Sequence, residues 1–324
     1  MTVLVTGATG TLGGLLIDRL LQNGYALRVL SRRPFRAAER IPGGCEVVEW
    51  HPDVEPPTAA AFDGIETVIH LMGEPPLASD PRRGDRFAAS RVGALRLINE
   101  GLAGRRWRLV VASLVIGSPS EGEVLTEASP RDALGQPGAA DILRFEAAAH
   151  EARAQGASVA VVRLGMLLTA DGALARLEQD ARMGRRCDLS RSLVPAIDPE
   201  DAAELIAGLA QRTDLEGVIH GVAPEPLKGS DLALLLASRR RVPLTRPMSR
   251  RGLFRRYGLL APLLLNRGRV VPQRLAEIGA RFTHPDPKAS AARVLEALAA
   301  ARQAQRPLWQ DLLPERMTPF LRRA

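Results

Sequence analysis

Three glycines near the start of the chain, Gly7, Gly10 and Gly13, have the spacing of a turn that holds phosphate groups. They follow an apolar run over residues 2–6 and precede a helical pattern rich in leucine. Gly7 permits a tight turn, Gly10 leaves the backbone open to a pyrophosphate, and Gly13 lets the helix pack closely on the strand. This arrangement predicts the first strand-turn-helix unit of a dinucleotide-binding fold, with a purely structural turn as the alternative.

The residues between the glycines supply the donors of the turn. Thr9 lies within it, and the N–H groups of Thr11 and Leu12 fall where the new helix begins, so the helix dipole favours an anion there. No Gly-Lys-Ser/Thr sequence follows the glycines, which excludes a phosphate-binding loop of the Walker type. These three residues are therefore predicted, with the glycines, to contact the phosphates of a dinucleotide.

A second strand, predicted over residues 26–30, ends in Ser31-Arg32-Arg33. In this fold a carboxylate at that place binds the ribose 2′-hydroxyl of NAD, whereas an arginine suits the 2′-phosphate of NADP. Arg32 is the candidate for the 2′-phosphate contact, with Ser31 and Arg33 beside it, and NADP is the predicted cofactor. Solvated loop charges are the alternative interpretation of the two arginines.

The elements that must position these residues alternate along the chain. Strand-like runs cover residues 45–50, 67–71, 108–113, 158–163, 193–197 and 217–222, and helical patterns cover 84–103, 139–155 and 200–211. The alternation predicts an α/β fold, a Rossmann-type doubly wound parallel sheet. The predicted domains are 1–168 with 193–222 as the NADP-binding domain, 169–192 with 223–300 as a smaller substrate-side lid, and 301–324 as a C-terminal tail.

Composition narrows the setting of the protein. Of its 324 residues, 46% are hydrophobic and 25% charged, as in ordinary soluble proteins. Cys45 and Cys187 are the only cysteines, and no metal-ligand spacing occurs, so we expect a reduced, cytoplasmic protein without a metal. A first strand that begins at residue 2 leaves no room for a signal peptide, and the longest apolar run, 258–265, is too short to span a bilayer.

Positive charge is concentrated in one segment. The net charge is +8, and the stretch from Arg239 to Arg274 contains eleven arginines and no acid. Such a segment predicts a small anionic ligand at the lid, with a peripheral membrane contact and a solvated basic face as alternatives. Aromatic residues make up 4% of the chain and are not interleaved with the arginines, which argues against nucleic acid. The oligomeric state has no signal in the sequence.

Several further stretches carry a family resemblance. They are Val68-Ile-His-Leu-Met-Gly-Glu-Pro75, Ser90-Arg91, Gly122-Glu-Val-Leu-Thr-Glu127, Arg163-Leu-Gly-Met-Leu-Leu168, Asp201, and Val271-Pro-Gln-Arg-Leu275 followed by Gly279 and Phe282. With the glycine turn, they resemble an atypical branch of the extended short-chain dehydrogenases/reductases, the NAD(P)-dependent epimerase family proteins. The branch has also been labelled sugar-nucleotide epimerases or cell-division inhibitors, labels that rest largely on the fold.

The resemblance implies roles for particular residues. Leu71, Met72 and Gly73 are expected to run along the cofactor ribose, and Arg91 to approach the phosphates or the nicotinamide. Core positions at a strand end are the alternative for Leu71 and Met72, and a surface position is the alternative for Arg91. For Asp201 the favoured interpretation is an acid that stabilises a helix N-terminus.

The resemblance also implies a catalytic tyrosine with a lysine four residues later, where the lysine lowers the tyrosine pKa. The only tyrosines are Tyr25 and Tyr257, which are followed at that spacing by Val29 and Ala261, so the pair is absent. Ser113, at the end of the fifth strand, matches the catalytic serine of the superfamily, with an ordinary strand-end hydroxyl as the alternative.

Two functions therefore remain open from the sequence. The first is an NADP-dependent oxidoreductase or epimerase with a non-standard proton donor, for which Glu74, Asp141, His150 and Asp171 are conceivable substitutes. The second is a non-catalytic NADP-binding regulatory or sensor protein that acts through a protein or membrane contact.

Overall fold

A seven-stranded parallel sheet forms the centre of the protein, which we describe from a computed structural model over residues 1–76, 84–117, 119–129, 138–239, 242–243 and 247–304. The strands of this sheet are β1 (Thr2–Thr6), β2 (Ala26–Ser31), β3 (Cys45–Glu49), β4 (Ile65–His70), β5 (Trp107–Leu114), β7 (Ala157–Leu164) and β11 (Gly217–Gly221). Two-residue strands lie outside it: β6 (Val124–Leu125), β8 (Met166–Leu167), β9 (Leu193–Val194), β10 (Ala196–Ile197), β12 (Leu227–Lys228) and β13 (Arg269–Val270).

Helices connect the strands and build the C-terminal part. They are α1 (Thr11–Gln22), α2 (Pro34–Ala38), α3 (Gly84–Gly101), α4 (Ala139–Glu151), α5 (Ala173–Arg182), α6 (Pro199–Gly208), α7 (Gly229–Ala237), α8 (Arg250–Tyr257), α9 (Ala261–Leu265), α10 (Leu275–Ile278) and α11 (Pro287–Ala304). Among the described helices, none is long and apolar enough to cross a membrane.

The strand order of the sheet is β11-β7-β5-β4-β1-β2-β3. The chain runs outward from β1 to β3 and then crosses back to β4, on the other side of β1. Thr6, the last residue of β1, is paired with Leu30 on one side and His70 on the other. The carboxyl ends of β1 and β4 therefore meet where the strand order reverses, the place at which open α/β sheets bind their ligands.

Both faces of the sheet are buried, which explains the continuous apolar strand sequences. Val3 and Val5 point to the face covered by α1 and α6, where Leu16 and Ile17 of α1 are fully buried. Leu4 points to the opposite face, which α3 and α4 cover. The predicted Rossmann-type doubly wound sheet is confirmed, and the predicted strands of this sheet end within two residues of the observed ones.

The predicted late strand over residues 193–197 was wrong. Pro195 divides it into β9, which pairs with β12, and β10, which pairs with β8. Proline has no N–H to give to a sheet ladder, and here its carbonyl accepts a bond from the N–H of Met166 instead.

A third apolar core lies where α5, α7, α8, α9 and α11 pack together. Three residues of the predicted lid pack on the core under α1 and α6: Leu275, Ile278 and Phe282. Helix α11 runs to Ala304, past the predicted start of the tail at 301, and residues 305–324 lie outside the described residues.

Candidate functional site

A cleft of about 440 Å³ opens at the carboxyl ends of β1, β2, β3 and β4. It brings together eight of the residues predicted to contact a cofactor: Gly7, Thr9, Gly10, Ser31, Arg32, Leu71, Met72 and Gly73. The other lining residues are Ala8, Val29, Leu30, Trp50, Pro52, Asp53, Glu74, Pro75 and Ser90. Five predicted residues, Thr11, Leu12, Gly13, Arg33 and Arg91, are not among those that line it.

The glycine turn has the tight geometry that its spacing predicts. Gly7 has a φ of +77°, and a Cβ there would lie 2.8 Å from the backbone nitrogen of Met72. A Cβ on Gly13 would lie 2.2 Å from the carbonyl oxygen of Gly7. A side chain at either position would displace the neighbouring backbone. The close packing of β1, β4 and α1 therefore requires glycine at both positions.

The start of α1 faces the turn. Its N-cap residue, Gly10, contributes no side-chain hydrogen bond, and the first helical turn contains no acid. The hydroxyl of Thr11 donates to Oδ2 of Asp171, at 2.5 Å, on the loop between β8 and α5. Leu12 is half-buried against the core under α1.

The residues predicted to recognise the 2′-phosphate follow the end of β2. Arg32 is exposed and lines the cleft with Ser31. Arg33 is the N-cap of α2, and its backbone N–H donates to the Ser31 hydroxyl at 3.2 Å. Asp53, on the loop after β3, lines the same cleft and places a carboxylate on its wall.

Sequence reasoning missed the contribution of the segment after β3. Trp50 is buried and donates from its indole nitrogen to the carbonyl of Glu55, at 2.9 Å, which fixes the loop that carries Pro52 and Asp53. The available signal was position: the predicted third strand ends at Trp50, and carboxyl ends of parallel strands share one edge of a sheet.

Arg91 lies beneath the cleft rather than in it. Its guanidinium donates to the carbonyl oxygens of Glu74 at 2.9 Å and Phe87 at 3.1 Å, and stacks 3.8 Å from the centre of the Phe87 ring. A Cβ on Gly73 would come within 2.5 Å of this guanidinium. Burial lowers the pKa of Arg91 to about 10, so it remains charged at neutral pH. The side chain therefore braces residues 73–74, and its contact with a cofactor stays a prediction.

A buried histidine contacts the residue just before the glycine turn. Nδ1 of His70 lies 3.0 Å from the hydroxyl of Thr6, at the ends of the two central strands. Burial, and next the nearby charge of Arg91, lower the pKa of His70 to about 3. The imidazole is therefore neutral at physiological pH.

Ser113 is part of a buried ionic network. Its hydroxyl donates to Oε1 of Glu146 at 2.8 Å, and both residues are nearly inaccessible. Arg163 donates to the same carboxylate twice, at 2.9 and 2.7 Å. The hydroxyl predicted to be catalytic therefore donates to the Glu146 carboxylate, which in turn accepts two bonds from the Arg163 guanidinium.

The chain's tyrosines and lysines lie away from the cleft. Tyr257 is fully buried and donates to Oδ2 of Asp180 at 2.7 Å, and Tyr25 packs beside α1. Lys228 is the N-cap of α7, and Lys288 pairs with Asp231. None of these four residues lines the cleft.

Four side chains were considered from the sequence as substitute proton donors, and Glu74 is the one that lines the cleft. Asp141 lies in the first turn of α4 near Arg144, and His150 is near the end of that helix. Asp171 is bonded to Thr11. Within the described residues, no group of three histidines, cysteines or acids is placed to hold a metal ion.

Two acids of the family motifs fasten the C-terminal segment to the sheet domain. Glu127 accepts bonds from the backbone N–H groups of His220, Gln273 and Arg274, at 3.0, 3.1 and 3.3 Å. Beside it, β13 pairs in parallel with β6. The motif at 122–127 and the motif at 271–275 are therefore the two halves of one contact, which we call the Glu127 clasp.

Asp201 makes a second contact of this kind. It is buried in the first turn of α6, where the sequence placed it, but its carboxylate accepts bonds from the N–H groups of Thr283 and His284, at 2.7 and 3.0 Å. Besides favouring the helix N-terminus, Asp201 thus holds the end of the C-terminal segment.

Three arginines in the described part of the basic segment are paired with acids, while Arg240, Arg241 and Arg246 lie outside the described residues. Arg256 donates twice to Asp180, at 3.0 and 2.8 Å, and Arg269 donates to Glu225 at 2.8 Å. Arg274 bonds to Glu277 at 2.9 Å, and also to carbonyls at the start of β11. All three acids that balance these arginines lie outside the basic segment.

A second cleft, of about 430 Å³, lies between α5 and α7. Its lining combines the apolar Leu177 and Leu236 with two arginines and two acids, which are Arg185, Arg186, Asp180 and Asp188. Cys187 lines it as a thiol, and burial raises the pKa of Cys187 to about 12, so it is not a thiolate at neutral pH.

Comparison with known proteins agrees with the fold and the motifs. Residues 3–180 match the NAD dependent epimerase/dehydratase family. An epimerase family protein, SDR39U1 homolog, chloroplastic, of Arabidopsis thaliana is 30% identical over 304 residues, which cover 88% of this chain and 84% of that protein.

Solved structures share the whole architecture. The human epimerase family protein SDR39U1 (isoform 2), solved with NADPH, superposes with a TM-score of 0.70 at 23% identity and covers 91% of this chain and 99% of its own. MoeE5, solved with UDP-glucose and NAD, gives a TM-score of 0.71 at 19% identity, with 93% and 99% covered.

The strand order and the glycine turn define a protein with a Rossmann-type α/β fold. The extent of the matches makes the assignment more particular. This chain belongs to the NAD dependent epimerase/dehydratase family.

Proposed function

We propose that the cleft binds NADP(H) and that Arg32 recognises the 2′-phosphate. The observation that carries this proposal is one cleft lined by both the glycine turn and the exposed Arg32. A helix N-terminus without its own acidic cap suits the pyrophosphate, and a guanidinium suits a phosphate dianion. The human relative solved with NADPH supports the choice of NADP, whereas MoeE5 was solved with NAD.

The role that the geometry favours is regulatory binding of the cofactor. The hydroxyl of Ser113 donates its hydrogen bond to Glu146, and Arg163 forms a buried ion pair with the same carboxylate. No tyrosine or lysine lines the cleft to take over proton transfer. A protein with this arrangement holds the cofactor without the usual acid, and cofactor occupancy then controls a contact with a protein or membrane partner.

A competing function is an oxidoreductase or epimerase with a non-standard proton donor. One observation favours it: Glu74, a carboxyl group, lines the cleft next to Gly73. When bound, the cofactor would supply hydride transfer, and Glu74 would exchange the proton with the substrate.

A further part of the proposal is a small anionic ligand at the lid, held in the cleft between α5 and α7. Arg185 and Arg186 lie in a cleft with apolar walls, close to the carboxylate of Asp180. An anion with an apolar body is the chemistry that such a lining fits.

Titration of the purified protein with NADPH and NADH, by calorimetry, tests the cofactor assignment. We expect tighter binding of NADPH. Arg32→Ala should weaken NADPH binding by about 1–3 kcal/mol, because it removes a charge-assisted hydrogen bond, and should leave NADH nearly unchanged. Arg36→Ala, an exposed charge on α2, is the matched control. Equal affinities for the two cofactors would overturn the assignment of NADP.

Turnover distinguishes the two roles. Incubation with NADPH and a panel of aldehydes, ketones and sugar nucleotides should give little or no reaction, since a missing general acid costs a factor of about 10²–10⁴. Brisk turnover that is lost in Glu74→Gln would establish the enzyme instead and end the regulatory proposal.

A further inference from the structure

The carboxylate of Asp171 contacts the first residue of α1, the helix whose N-terminus the proposed cofactor would use for its phosphates. Asp171 is exposed, and its Oδ2 accepts the hydroxyl proton of Thr11, the first residue of α1. The two residues are 160 positions apart, so the contact closes the loop after β8 onto the glycine turn. No motif of the sequence predicted this pairing.

The start of α1 attracts an anion for physical reasons. The first N–H groups of a helix lack intrahelical acceptors and carry a partial positive charge. Here the N-cap is a glycine without a side-chain bond, and the first turn contains no acid. Asp171 therefore supplies from outside the negative charge that the helix itself does not provide.

A pyrophosphate bound at this turn would use the same helix N-terminus. It would meet Asp171 as a like charge a few ångströms away, and it would compete for the hydroxyl of Thr11. Since Asp171 is on the surface, its side chain can rotate into water at small cost. A bound pyrophosphate can therefore displace the bond between Asp171 and Thr11.

We propose that Asp171 is an affinity-determining residue, a built-in competitor that holds the phosphate site closed until NADP(H) displaces it. The inference rests on the proposed binding of NADP(H). It makes the loop between β8 and α5 the element that senses occupancy, because releasing Thr11 frees Asp171 next to Gly172, the N-cap of α5.

The test compares Asp171→Asn with the unaltered protein. Asparagine keeps the size and a hydrogen-bond acceptor but removes the charge. NADPH binding, measured by calorimetry, should become about threefold to tenfold tighter, the effect expected for one nearby unit charge in a water-like dielectric. Asp18→Asn, an exposed acid on α1 about 10 Å further along the helix, is the control and should change binding less than twofold.

Thr11→Val adds a second measurement. In the Asp171→Asn background it should change NADPH affinity by a different factor than in the unaltered protein, because the two side chains are coupled. Circular dichroism and thermal melting check that each variant is folded.

Three outcomes would overturn the inference. If Asp171→Asn binds NADPH no tighter while the unaltered protein binds it, Asp171 is not a competitor and the cofactor site stands. If Asp18→Asn tightens binding equally, the effect is general charge and not the contact with Thr11. If no variant binds NADPH or NADH, the proposed function fails as well.

Discussion

At the scale of single residues, the environment of Ser113 decides what its hydroxyl does. Its bond to Glu146 is buried, so removing it leaves a charged acceptor with one partner fewer. We expect Ser113→Ala to lower the free energy of unfolding by about 1–3 kcal/mol, measured by urea denaturation. NADPH affinity should not change, because Ser113 does not line the cleft.

The control for this prediction is Glu146→Gln. It leaves the Arg163 guanidinium buried without its countercharge and should cost more, about 3–5 kcal/mol. A Ser113→Ala protein of normal stability that has lost turnover on a substrate of the unaltered protein would contradict the structural role and restore the catalytic one.

His70 makes stability depend on pH. Its pKa is lowered from 6.5 to about 3 in the folded state. Between these values the unfolded chain binds a proton that the folded protein does not, so stability falls as the pH drops below about 6.5. The slope for one such group approaches about 1.4 kcal/mol per pH unit.

Urea denaturation at several pH values, with His70→Gln, checks this expectation. The variant should show a shallower loss of stability towards acid. Some slope should remain, because burial also lowers the pKa of His220. Thr6→Val removes the partner but keeps the imidazole, so it should preserve the slope. An unchanged slope in His70→Gln would contradict the assignment.

At the scale of elements, the Glu127 clasp joins β6, β11 and the segment after β13. One carboxylate accepts three backbone N–H groups, and an amide can accept with only one of its two terminal atoms. Glu127→Gln should therefore lower stability by about 1–3 kcal/mol and speed hydrogen exchange over residues 271–284.

Glu225→Gln is the matched control for the clasp. It removes a charge from the partner of Arg269 in β13, but that pair is exposed and should contribute about 1 kcal/mol or less. Slower or unaltered exchange over 271–284 in Glu127→Gln would show that β13 is held by other contacts.

Some elements are predictable from sequence because their signal is local. The glycines of the turn and the arginine at the end of β2 are recognised from the spacing of a few neighbouring residues. Eight of the residues predicted in this way line one cleft. Asp53 depends on which strands are neighbours, so spacing does not reveal it. The network of Ser113, Glu146 and Arg163 depends on which face of α4 meets β5 and β7, and the partners of Glu127 are backbone groups that any residue has.

At the scale of the whole molecule, charge is balanced locally and not along the sequence. The acids that pair with Arg256 and Arg269 lie in α5 and after β11, outside the eleven-arginine segment. These pairs offset part of the repulsion expected inside the segment. The cations proposed to meet an outside anion are Arg186 and Arg185, which also bonds to Asp180, and both line the second cleft.

Thermal stability in phosphate, sulfate and chloride, at matched ionic strength, tests for that anion. A specific site should give a saturable rise with phosphate or sulfate, and the rise should disappear in a double variant of Arg185 and Arg186 to alanine. Arg182→Ala, on the preceding helix, is the control. The same non-saturating response to all three salts is what screening alone produces and would remove the anionic ligand from the proposal.

The Glu127 clasp also has a consequence for how the protein is made. Glu127 leaves the ribosome 146 residues before Gln273, whose amide it accepts. At about 5–20 residues per second, the wait is on the order of 10 s. During that time β6 has no β13, and the nascent sheet domain exposes the surface that the C-terminal segment later covers. We therefore expect the Glu127 clasp to form only after residue 273 has been translated. Chaperones that bind nascent chains can act on the exposed surface during that interval.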